Sequence, residues 1–266
     1  MLLKVKTLQP VHPNIVLELQ YRRKLEAFIE DMHNSIIYWL AAAYKRNTPE
    51  LVKLMAEDAS PAVLLQAVMR RLSRRWLRNA DNMAGELSRY FATAAAKRSD
   101  NALQSILRKG GFSVKFKTSR AVNDVLQATI HENVSLIKSI AQEHLSKVEQ
   151  SVMRSVQVGR DLQTLSNDLH DNFGVTWRRA ELIARDQNNK TTAAITKVRQ
   201  LETGFNEAVW VHSGAGRHPR PSHVRAGRDR IHYNIATGWF DPAIKKFIWP
   251  GTEISCRCVS RPVLPI

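Results

Sequence analysis

Apolar side chains recur every three or four residues along most of this chain, the spacing that gathers them on one face of an α-helix. Leu25, Phe28, Ile29, Met32, Ile36, Leu40 and Ala43 form the first such stripe. Thr48-Pro49-Glu50 then reads as a helix start, with Thr48 as N-cap, proline in the first helical position and an acid in the first turn. Ser60-Pro61 repeats the device before a third helix, whose apolar stripe is read as Val63, Ala67, Met69 or Arg70, Leu72 and Trp76. Helices are thus expected from residue 14 to residue 109, where Gly110-Gly111 interrupts the pattern. FSVKFK (112–117) alternates apolar with polar and fits either one short strand or an exposed loop. From Leu126 the stripe resumes through Ile130, Val134, Ile137, Ala141, Leu145, Val148, Val152 and Val156. That pattern predicts a long amphipathic helix, either continuous or broken near Ser139, and capped by Gly159. A shorter helix is expected from Asp161 to Asn172, stopping at Phe173-Gly174. Thr176 is expected to cap the next, which ends at Thr203-Gly204.

The last sixty residues follow another rule. FNEAVWVHS (205–213) alternates and carries β-formers, and glycines and prolines interrupt the chain repeatedly from Gly214 to Gly251. The fold class expected is mainly α: long helical N-terminal and middle regions, then a small loop-rich α+β C-terminal unit with a few short strands. The chain divides on this reading into a basic helical region (1–120), a helical lead-in with long amphipathic helices (121–204) and the small C-terminal domain (205–266).

Charge changes the picture more than composition does. A hydrophobic fraction of 44% is that of a folded protein, whereas 40 Lys and Arg against 24 Asp and Glu leave a net charge of +16. Residues 1–120 carry 21 basic and 10 acidic side chains, residues 121–204 carry 10 of each, and residues 205–266 carry 9 and 4. Such a field favours a polyanion: nucleic acid, an anionic membrane surface or an acidic protein. Within it, Arg70, Arg71, Arg74, Arg75 and Arg78 crowd the third helix with only Asp81 and Glu86 following locally. Like charges at this density repel, so these five are the candidate anion- or DNA-binding residues. No apolar run approaches the roughly 20 residues of a membrane helix, and the N-terminus lacks a signal-peptide pattern, so a soluble intracellular product without membrane partners is expected.

Candidate chemistry concentrates in RPSHVRAGRDRIHYN (220–234) and the later CRC. Cys256 and Cys258 are the two cysteines, too close in sequence to favour a disulfide with one another. With His223 and His212, His218 or His232 they supply soft donors, but a structural zinc site ordinarily shows two close-spaced ligand pairs and here there is one. The expectation is therefore no metal, no cofactor and no catalytic residue. CRC is read as a short β-segment, its cysteines buried as small apolar groups and Arg257 pointing outward. No H-E-x-x-H, P-loop or paired-carboxylate motif occurs. Arg217, Arg220, Arg225, Arg228 and Arg230 make a cationic loop suited to carboxylate or phosphate. Trp239, Phe240, Phe247 and Trp249 serve either to stack on bases or to build the small domain's core.

Taken in order, WRRAELIARDQNNKTTAAITKVRQ, a strand with W-V-H-S-G, R-P-S-H and a closing P-G-…-S-C-R-C resemble the phage head-morphogenesis family of minor head proteins typified by the phage Mu F protein. The matching positions are Arg179, Ala180, Ile183, Ala184 and Arg185; Trp210; Arg220, Pro221, Ser222, His223 and Gly227; Pro250, Cys256, Arg257 and Cys258. The resemblance covers about residues 125–262. Asp186-Gln187 depart from a frequent Thr-Glu, and no C-x-x-C precedes the R-P-S-H turn. The resemblance implies a non-enzymatic minor virion protein, at or near the portal vertex, acting in head assembly and in DNA packaging or delivery. Implied partners are the portal protein, packaged double-stranded DNA, and the major capsid or scaffolding protein. Implied locations are the virion and, during assembly, the host cytoplasm. Arg185, Trp210, Arg220, Pro221, His223, Gly227, Cys256, Arg257 and Cys258 then read as structural motif residues, with His223 bonding back toward CRC. Two other readings remain open: a sequence-independent DNA-binding protein and a metal-dependent nuclease.

Overall fold

The computed structural model describes residues 6–46, 61–157, 162–214, 216 and 218–264. Among these the helices are α1 (Ile15–Arg46), α2 (Pro61–Lys109), α3 (Arg120–Gln157), α4 (Leu162–Glu202) and α5 (Pro221–Arg228). The strands are β1 (Glu207–Val211), β2 (His232–Asn234), β3 (Trp239–Asp241), β4 (Lys246–Ile248) and β5 (Val259–Pro262). Four long helices followed by a small unit of short antiparallel strands is the fold class the periodicity predicts. The expected caps at Thr48, Ser60 and Gly159 lie outside the described residues.

The chain forms two compact units, each assembled from separate stretches. One comprises residues 20–87 and 132–183, hence parts of α1 to α4. Leu25, Ile29, Met32, Ile36 and Leu40 are fully or almost fully buried along α1, as the stripe predicts. On α2 the buried positions are Leu65, Met69, Leu72, Trp76 and Ala80, while Val63 is half exposed and Ala67 also faces out. The expected stripe was therefore out of phase at its start: only the series through Leu65 and Met69 stays in register with Trp76 at 3.6 residues per turn. Phe28 meets Trp76 edge to face, with ring centroids 5.8 Å apart.

A polar lane runs beside the apolar stripe of α3 and satisfies itself across helices. Tyr21 Oη donates to Asn133 at 2.7 Å, Tyr44 bonds Ser155, and His144 Nδ1 lies 2.9 Å from Thr176 Oγ1. Helix α3 runs unbroken through Ser139, whose hydroxyl folds back onto the Leu136 carbonyl at 2.7 Å.

The interruption expected at Phe173-Gly174 is absent, and α4 is one helix of 41 residues. Thr176 donates its hydroxyl to the Asn172 carbonyl one turn back rather than capping a new start. Phe173 stacks on His33 at 4.4 Å and on Trp177 at 5.4 Å. These tertiary contacts outweigh the roughly 1 kcal/mol that a mid-helix glycine costs.

The second unit comprises residues 1–19, 88–131 and 184–266. Asn14 caps α1, accepting from the Leu17 N–H at 3.0 Å. Helix α4 closes where Gly204, at φ +84°, lets the Phe205 N–H return to the Gln200 carbonyl. That reversal launches β1, the centre of a three-stranded antiparallel sheet of order β2-β1-β5. Ala208 pairs with Tyr233 and Pro262, and Trp210 with Ser260. Leu8, Val11, Leu103, Leu107, Phe205, Ala208, Tyr233 and Ile235 form the core beneath. FSVKFK takes the loop alternative and forms no strand, although Val114 and Phe116 pack on this core. Strands β3 and β4 make a separate hairpin.

Candidate functional site

Sequence distance hides the main cluster. Arg220 precedes α5 with extended backbone, Pro221 occupies its first turn, and RPSHVRAGR is therefore helical where a turn was expected. The helix buries His223 and Ala226 and leaves Arg225 and Arg228 in solvent. Gly227 lies against the β1 exit: a Cβ there would stand 2.4 Å from the Cβ of His212. Cys256-Arg257-Cys258 approaches from the other side as irregular chain before β5, not as a strand. Both cysteines are buried, and Arg257 is half-buried rather than projecting freely.

The three motif residues meet. His223 Nδ1 is 3.5 Å from Cys256 Sγ and 3.9 Å from Cys258 Sγ, and one ligand atom from each lies within 4.8 Å of the others. His223 Nε2 faces Asp241 Oδ2 at 3.6 Å, an ion-pair separation too long for a hydrogen bond. Asp241, wholly buried, accepts from Ser222 Oγ at 2.8 Å and from the Ala243 N–H at 2.9 Å. Trp210 forms the floor, fully buried and edge-on to His223 at 5.0 Å and to Trp239 at 5.1 Å. The neighbouring Cys258 side chain draws the Cys256 thiol well below the usual range, against the opposing effect of burial. Cys258 is pushed up by the Cys256 side chain and by burial.

Helix α4 holds the cysteine segment. Asp186 Oδ1 accepts from the Ser255 N–H at 2.6 Å, and Asn189 Nδ2 donates to the Cys256 carbonyl at 3.1 Å. Asp186, a departure from the family pattern, is thus an anchor of the segment. Arg220 reaches the Ile254 carbonyl at 2.9 Å. Arg220, Ile254 and Ser255 border a cavity of about 360 Å³ that His212, His218, Arg257, Cys256 and Cys258 also line. Arg185 is half-buried on α4. Sequence reading missed Asp186, Asn189 and Asp241 as neighbours of the motif, since no local pattern marks them. Of the C-terminal aromatics, Trp239 and Trp249 pack against the core, whereas Phe240 and Phe247 form an exposed pair at 5.3 Å.

The five arginines of α2 all face solvent. Arg71, Arg75 and Arg78 line one groove of about 380 Å³ with Trp39, Val68 and Leu72, while Arg70 and Arg74 lie outside it. Arg71 sits over the Trp39 ring at 5.9 Å and Arg75 over Trp76 at 5.6 Å. Arg70 bonds Gln66, and Arg78 bonds the Arg74 carbonyl. Among the described residues none of the five pairs with a carboxylate.

Residues 146–261 match the family model described as phage Mu protein F like protein. The chain is also 27% identical to an uncharacterized protein of Haemophilus influenzae, in an alignment covering 98% of this chain and 56% of that one. It therefore spans a little over half the length of that relative. No solved structure matches. The match extends from the second half of α3 through the Cys–His cluster and takes in every motif residue read from the sequence, so over residues 146–261 this chain is similar to the phage Mu F-like family.

Proposed function

We propose that the protein is a minor structural protein of a tailed-phage head, acting at or near the portal vertex in head morphogenesis and in DNA packaging or delivery. The family match across residues 146–261 carries this reading. Its partners are the portal protein and packaged double-stranded DNA, with the major capsid or scaffolding protein as further neighbours. It is not an enzyme on this reading: Trp210, His223, Cys256 and Cys258 are buried and contact one another, which suits a scaffold.

The arginine groove supports the DNA contact. Guanidinium groups without carboxylate partners gain most from phosphate oxygens, and released counterions drive binding that ignores sequence. The same groove is what favours a second reading, a sequence-independent DNA-binding protein with no capsid role. A metal nuclease is the weaker alternative, because Asp241 is committed to Ser222 and Ala243.

Size-exclusion with mass detection, on mixtures with a portal protein of the same phage and with short duplex DNA, separates these readings at two salt concentrations. Co-elution with portal at high salt is expected; binding DNA alone, and only at low salt, would leave the second reading. Replacing all five arginines with Gln should weaken DNA binding and flatten the slope of log K against log salt by about 3 to 4. An unchanged slope would leave these side chains as a solvated face.

A further inference from the structure

We propose that His223 Nδ1, Cys256 Sγ and Cys258 Sγ are three ligands of a structural zinc ion, whose fourth position opens on the cavity bordered by His212 and His218. This goes beyond the head-protein reading and stands or falls without it.

Spacing is the first argument. Tetrahedral zinc with bonds of about 2.3 Å to sulfur and about 2.0 Å to nitrogen sets ligand atoms roughly 3.5–3.8 Å apart. The two nitrogen-to-sulfur separations are 3.5 and 3.9 Å, and all three atoms lie within 4.8 Å of one another. All three side chains are buried, so their mutual positions are set by packing rather than by solvent-facing rotamers.

The second argument is what surrounds the ligands. Two buried nitrogens here have no hydrogen-bond partner, His223 Nε2 and Trp210 Nε1. Metal on Nδ1 would require the proton on Nε2, which faces the buried Asp241 carboxylate at 3.6 Å; a small ring rotation closes that bond. Carboxylate, histidine and metal in line are the arrangement that orients a metal-bound imidazole. Trp210 packs in one buried cluster with Cys256 and Cys258, whose sulfurs accept far better as metal thiolates than as thiols. One ion would therefore give the orphaned His223 Nε2 a partner in Asp241 and bring a stronger acceptor into the cluster that holds the Trp210 indole.

The donor set of one imidazole and two thiolates selects zinc over magnesium or calcium. His212 accepts the Gly214 N–H on Nδ1 at 3.2 Å, which leaves its proton on Nε2, so it borders the open position as a hydrogen-bond donor and not as a ligand. The ion would tie α5 to the irregular segment before β5, a clip of the kind that small loop-rich units depend on.

Cobalt titration of the reduced full-length protein is the test. A one-to-one complex is expected, with near-ultraviolet thiolate charge transfer and the intense visible bands of tetrahedral cobalt, bleached by equimolar zinc. Cys256→Ser and Cys258→Ser should each lose part of the charge-transfer intensity. Should those variants fail to fold, Asp241→Asn keeps every ligand and should weaken zinc about 10–100-fold in competition with a chromophoric chelator. Weak octahedral cobalt bands alone, from wild-type protein folded by circular dichroism, would overturn the proposal.

Discussion

His144 is fully buried between α3 and α4, and its imidazole is held neutral. Burial first, then the nearby charges of His33 and Lys147, lower it from 6.5 to about 4. His33 is lowered too, by burial and then by His170. Between those two pH values the unfolded chain binds a proton that the folded chain refuses, so stability is complete above about pH 6.5 and falls as pH drops toward 4. The loss from His144 alone is on the order of 3 kcal/mol. Urea unfolding at pH 7 and pH 4.5 should show it as a lower midpoint at unchanged slope, and His144→Gln should flatten the dependence. None of this is legible in the sequence, where His144 sits in a polar-looking turn of a helix. Its stripe neighbours Ala141, Leu145 and Val148 are legible, because a 3.6-residue period needs no partner to be seen.

Two glycines in regular helix show how differently one residue type acts. Gly174 lies inside α4 where an added Cβ would touch only the Arg178 guanidinium at 3.5 Å. Gly174→Ala should therefore stabilise by about 1 kcal/mol, a rise of roughly 2–4 °C in Tm by calorimetry. Gly227 in α5 is the reverse, with the His212 Cβ 2.4 Å and backbone nitrogen 2.9 Å from the missing methyl. Gly227→Ala should cost about 1–3 kcal/mol, seen as a lower Tm in the same scans. In sequence Gly174 looks like the stop signal and Gly227 like an ordinary loop glycine. Both impressions fail for one reason: propensity is a prior of about 1 kcal/mol, and the neighbouring elements that outvote it are remote in the chain. Helix α5 is hidden similarly, since eight residues are too few to display a period.

At the scale of the molecule, ion pairs between distant segments separate into those that matter and those that do not. Arg199 on α4 makes a two-pronged bond to Asp100 on α2 at 2.8 and 2.7 Å, and also reaches Glu202 and the Lys117 carbonyl. Its side chain is only 4% exposed. Asp100→Ala should thus cost about 3 kcal/mol in denaturant unfolding, largely independent of salt, because a buried guanidinium is left without its main partner. Lys138 and Asp81 approach as closely, at 2.7 Å, but both are exposed. Asp81→Asn should cost less than about 1 kcal/mol.

The sequence by itself determined the long helices, the change to short strands after residue 204, the basic field and, through motif order, the likeness to the phage Mu F-like proteins over residues 146–261. Each of these is carried by local periodicity or by residues in a fixed order along the chain. Only the tertiary structure decided that His223, Cys256, Cys258 and Asp241 meet, that Arg71, Arg75 and Arg78 share a groove, and that α4 runs through Gly174. Those outcomes depend on packing between segments tens of residues apart, where contact energies of a few kcal/mol override local preferences and leave no periodic trace.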